Sequence, residues 1–130
     1  MNTVSDDNIR NFNKSVNEFL DDLIKLVNDK LFNKFYKKIK KLLKSNINTN
    51  ILINKFIINI LPYDRYIKER NHILFHEVIK NEKDNIVIMI DKINNVWSKL
   101  VDSDKKNIFD YLLVLSYYSK EYYKTVVPSF

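Results

Sequence analysis

Six lysines carry the strongest chemical pattern in this chain. Lys30, Lys34, Lys37, Lys38, Lys41 and Lys44 recur mostly at intervals of three and four, which places them on one face of a helix. Leu31, Phe35, Ile39 and Leu42 take the other face. Ammonium groups in such an array can track phosphates, because each contact returns a counterion to solution. The same amphipathic pattern suits docking into a groove or onto an anionic membrane surface. In a lysine-biased chain it also serves simply as a solvated outer face.

A second pattern lies near the C-terminus. Tyr117, Tyr118, Tyr122 and Tyr123 stand beside Lys120 and Lys124. Tyrosines stack on bases or anchor protein interfaces. On a helix Tyr118 and Tyr122 share one face and Tyr117 lies to the side, so one pair is expected to pack on the core while the other lies over it.

Other residue sets point away from catalysis. His72 and His76 are four apart and Glu69 precedes His72 by three, a spacing that can aim three ligands at one metal. The zincin pattern needs a second histidine where Lys80 stands, and a ferritin-like site needs a second Glu-x-x-His unit, for which no further histidine exists. Structural or surface histidines are therefore expected, with no metal and no cofactor. Asp21 and Asp22 are adjacent, so on a helix they point about 100° apart, unlike a catalytic carboxylate pair. Trp97 sits in an apolar stripe and is expected to be a buried anchor. Asp64 is expected to cap a helix or to pair with Arg65.

Composition excludes more chemistry. The 130 residues include no glycine, alanine, cysteine or glutamine. Without glycine there is no phosphate-cradling loop and no nucleophile elbow. Without cysteine there is no disulfide, thiolate nucleophile or cysteine-bound zinc. The net charge of +6 and pI near 9.4 favour anionic partners. Part of that basicity reflects coding: 18 Asn, 19 Lys and 17 Ile all use A/T-rich codons.

The elements that must position these residues read as helices. Ile9, Phe12, Val16, Phe19, Leu20, Leu23, Leu26 and Val27 step by three and four, with Ser5, Asp6 and Asp7 suited to the helix start. The pattern runs on through Leu31 to Leu43, either as one helix or broken near Asn28 and Asp29. Residues 45–50 read as a linker. Residues 51–61 form a central helix, apolar nearly all round, stopped by Pro62. Further helices are expected over about 65–80, from an Asp84 cap through Leu100, and after a turn at Asp102, Ser103 and Asp104 up to Pro128. The fold class is all-α: a single-domain bundle (1–130) of about five helices, without a sheet. The N-terminus carries no apolar stretch and no segment is long enough to span a bilayer, so an intracellular setting, in cytoplasm or virion, is expected.

Residues 93–115, with Trp97, Leu100, Lys105 and the Phe-Asp-Tyr-Leu run at 109–112, together with the Asn/Lys/Ile bias, resemble small uncharacterised helical proteins of AT-rich nucleocytoplasmic large DNA viruses. The resemblance covers about a fifth of the chain. It implies a viral source and no particular activity. Bcl-2-like viral proteins are also small and helical, but their signature contains a glycine that this chain lacks. The expected function is a non-enzymatic protein-interaction or structural module, with self-association compatible. The alternative is a nucleic-acid-binding protein contacting phosphates through Lys34, Lys37, Lys38, Lys41 and Lys44.

Overall fold

Asp29 divides the long N-terminal pattern into two helices. Its extended backbone (φ −149°, ψ 134°) leaves the helical region, and its carboxylate accepts from the Phe32 backbone N–H at 2.9 Å. Such a cap satisfies one of the free donors at a helix start. The structure, a computed structural model, describes residues 3–45, 47, 49–80 and 86–126.

Seven α-helices occur among the described residues: α1 Thr3–Leu26, α2 Lys30–Lys44, α3 Ile51–Asn59, α4 Asp64–Lys68, α5 Ile73–Lys80, α6 Ile86–Val96 and α7 Asp102–Val126. Short 3-10 turns lie at Leu61–Tyr63 and Trp97–Lys99. No described residue lies in a strand. The chain is thus all-α as expected, with more helices than the five expected.

One extra break explains part of the difference. Residues 65–80 read as one helix, but α4 ends at Lys68. The N–H of Asn71 bonds to Tyr66 O at 2.8 Å and that of Arg70 to Ile67 O at 3.1 Å. This paired closure requires a left-handed residue between them, normally glycine. In a chain without glycine, Arg70 takes that role at φ 53°.

The two longest helices, α1 and α7, run antiparallel along much of their lengths. Phe19 and Tyr111 stack across them, centroids 4.8 Å apart. Buried side chains from all seven helices join one apolar cluster. Helix α3 contributes Leu52, Ile53 and Phe56, with Phe56 meeting Phe12 edge-on at 5.5 Å. It is not buried all round, since Ile58 is 71% exposed. The Pro62 turn follows its end, as expected.

Local details differ from the sequence reading in four further places. Helix α1 begins at Thr3, so Ser5 is buried within it rather than capping it. On α2 the inner face holds Phe32, Phe35 and Ile39, while Leu31 is 49% exposed. Asp102 and Asp104 lie inside the first turn of α7, where they complement the helix dipole. Trp97 is only partly buried, because α6 stops at Val96 and the indole sits on the following 3-10 turn. The proposed Asp84 cap and the Pro128 stop lie outside the described residues, as does part of the 45–50 linker.

Candidate functional site

Helix α2 positions the lysine array. Phe32, Phe35 and Ile39 are pulled into the core, which turns the opposite side outward. Lys30, Lys34, Lys37, Lys38, Lys41 and Lys44 are all exposed. Among the described residues none of the six makes an ion pair.

Lys40 on the same helix behaves differently, and the sequence pattern did not single it out. Its ammonium lies 2.6 Å from Asp21 Oδ1 and donates to Asn17 Oδ1 at 2.5 Å. Tyr36 donates to the same Asp21 oxygen at 2.8 Å. Hydrogen bonds from Lys40 and Tyr36 hold the Asp21 carboxyl below its usual pKa, and the same carboxylate pushes the Tyr36 phenol up. These contacts clamp α1 to α2.

Beside the clamp a groove of about 970 Å³ opens between the first half of α1 and the last half of α2. Arg10, Lys14, Lys40 and Lys44 line it, with Asn13 and Asn17. Arg10 is held by Asp7 at 3.0 Å and Lys40 by Asp21. Asn13 spends its amide N–H on Thr49 O at 2.9 Å, while its buried carbonyl oxygen has no hydrogen-bond partner among the described residues. The groove therefore adjoins the Lys44 end of the basic face and adds Lys14 to it.

Asp21 and Asp22 diverge as their spacing on α1 requires. Asp21 serves α2, whereas Asp22 accepts from the Tyr111 hydroxyl of α7 at 2.7 Å. Burial first, and then this carboxylate, pushes the Tyr111 pKa up to about 12.

The tyrosines of α7 divide between core and surface. Tyr122 is buried and Tyr118 is partly buried against the core. Tyr117 and Tyr123 are exposed by 59% and 47%. Tyr117 and Tyr118 meet edge to face at 5.3 Å, so they brace each other. This arrangement is one ring pair packed inward and one lying outside.

The His72, His76 and Glu69 set is not brought together as a single-helix spacing requires. The turn at Arg70 puts Glu69 at the end of α4 and His72 before α5. Among the described residues no group of three or more His, Asp or Glu could hold a metal ion. His72 instead lies beside Trp97, ring centroids 6.3 Å apart.

Asp64 neither caps α4 with its side chain nor pairs with Arg65. It accepts from Ser116 and forms ion pairs with Lys120 and with Lys68, the last at 3.4 Å. Burial opposes its ionisation, but the bonds from Lys120 and Ser116 outweigh it and hold the carboxyl below its usual range. Arg65 lies over its neighbour Tyr66, 4.7 Å from the ring centroid.

No helix among the described residues is long and apolar enough to cross a membrane. Compared with known proteins, the chain matches no family model, no curated protein and no solved structure.

Proposed function

We propose that the protein is a non-enzymatic interaction module that docks an acidic protein partner on the outer face of α2. One observation carries this reading. Several cations elsewhere are neutralised by carboxylates: Arg10 by Asp7, Lys92 by Asp29, Arg70 and Lys106 by Asp110, Lys120 by Asp64. Among the described residues the six α2 lysines have no such partner. Like charges four apart on a helix repel, as Lys30 with Lys34, Lys34 with Lys38, and Lys37 with Lys41 do here. The isolated chain bears that cost, and an acidic surface relieves it.

Two features favour a protein over a single-stranded nucleic acid at this face. Base stacking needs exposed rings beside the cations. On α2, Phe32 and Phe35 are buried and the Tyr36 hydroxyl is held by Asp21. Leu31, half exposed beside the array, instead offers an apolar anchor of the kind protein interfaces use.

The test compares the parent with a variant in which Lys34, Lys37, Lys38 and Lys41 are all glutamate. Partners are captured from the native host cell with and without nuclease. The expected result is a defined protein that the parent retains after nuclease treatment and the variant loses. Loss of every partner on nuclease treatment moves the assignment to nucleic acid. In that case duplex DNA binding by the parent remains measurable near physiological salt, although its affinity falls steeply as salt rises.

A further inference from the structure

A second surface combines features that α2 lacks. Trp97 projects partly from the corner between α6 and α7. Its indole packs on Phe75 at 4.9 Å and meets Phe109 edge-on at 5.6 Å. Around it opens a shallow hollow of about 650 Å³ lined by Arg70, His72, Trp97, Lys105, Lys106 and Phe109. The Lys105 ammonium lies 5.6 Å from the indole centroid and, among the described residues, has no carboxylate partner. Asp110 is the acidic neighbour of this rim. It holds Arg70 at 2.6 Å and Lys106 at 2.8 Å, so three cations face one carboxylate.

The shape of the rim is specified by the fold. Arg70 reaches it from a left-handed backbone position, φ 53°, which is unfavourable for any side-chain-bearing residue. Its guanidinium is then fixed by Asp110 and by the Lys106 carbonyl, 3.4 Å away. The result is a ring surface within a cluster of net positive charge. A carboxylate-rich peptide would engage the cations and leave the indole unused. A neutral aromatic ligand would do the reverse. A planar aromatic group carrying a phosphate uses both.

We propose that this hollow binds one nucleotide of a single-stranded nucleic acid, with the base against the Trp97 indole and the phosphate against the Lys105 ammonium. Aromatic platforms flanked by cations bind single strands in this way, with little sequence preference. The site is separate from the α2 face and does not depend on how that face is used.

The chain has one tryptophan, so its emission reports directly on the site. Short oligothymidylate is titrated against the full-length protein at low salt. Saturable quenching of Trp97 emission is expected. An abasic strand of equal length should bind about tenfold to a hundredfold more weakly and not quench, since stacking contributes on that scale. Lys105→Ala should lower the slope of log affinity against log salt by about 0.7, the value of one lost phosphate contact on a single strand. The variant carrying glutamate at Lys34, Lys37, Lys38 and Lys41 should retain the quenching. Absence of saturable quenching, equal binding of the abasic strand, or loss of binding in the α2 variant but not in Lys105→Ala overturns the proposal. So does quenching by a phosphotyrosine peptide with none by the oligonucleotide.

Discussion

Arg70 holds Asp110 at 2.6 Å from a backbone position that most helices give to glycine. The two residues are 40 apart in sequence, and their pair ties the α4–α5 corner to the flank of α7. The side chain thus does at this corner what a glycine could not, while its backbone bears the cost of the left-handed turn.

Arg70→Gly separates the two effects. Relief of the left-handed strain is worth about 1–2 kcal/mol, and an exposed ion pair contributes about 0–1 kcal/mol. The variant is therefore expected to be neutral or stabilised by about 1 kcal/mol in urea denaturation. Arg70→Val, which keeps a β-branched Cβ at φ 53°, should destabilise. A Gly variant clearly less stable than the parent would mean that the Asp110 pair outweighs the strain.

Asp64 links α4 to α7 through Ser116 and Lys120. Removing its carboxylate takes that partner from the buried Ser116 hydroxyl and the partly exposed Lys120 ammonium. Asp64→Ala is expected to cost about 1–3 kcal/mol. Because the folded pKa lies below the unfolded one, this stabilisation is full above the ordinary value of 3.8 and is lost as pH falls through the lower folded value. Asp64→Asn should accordingly show a shallower loss of stability in that acidic range, measured by denaturant midpoint at each pH.

Tyr111 carries the opposite sign. Its phenol pKa is raised from 10.0 to about 12, so the folded state favours the protonated ring. The contribution is complete below 10.0 and disappears as pH rises through about 12. Phenolate absorbance should show a step near 12, and Tyr111→Phe should remove that step. The same variant keeps the ring stack on Phe19 but frees Asp22, so its loss at neutral pH should stay near 1 kcal/mol.

Trp97 and Phe75 give a graded pair. Phe75 is fully buried between Trp97 and Phe109, and Phe75→Ala should cost about 3–5 kcal/mol. Trp97 is partly exposed, and Trp97→Ala should cost less, about 2 kcal/mol. Equal costs by chemical denaturation would show that the indole is as much a core residue as Phe75.

The sequence by itself determined what depends on local periodicity. The three- and four-residue spacing on α1 and α2 turned Phe12, Val16, Phe19, Phe35 and Ile39 inward and the six lysines outward, because a helix rotates side chains by a fixed angle per residue. It also separated Asp21 from Asp22. Apart from the stop at Pro62, tertiary structure decided where segments end and what distant residues meet. Nothing local required Arg70 to take the left-handed slot; the packing of Ile67 and of Leu74 and Phe75 on either side did, by forcing the chain to turn. Nor did spacing reveal that Lys40 is neutralised by Asp21 while its neighbours are not. The meeting of Trp97, Lys105 and Arg70 was equally invisible, since it joins three segments whose distance in sequence says nothing about their distance in space.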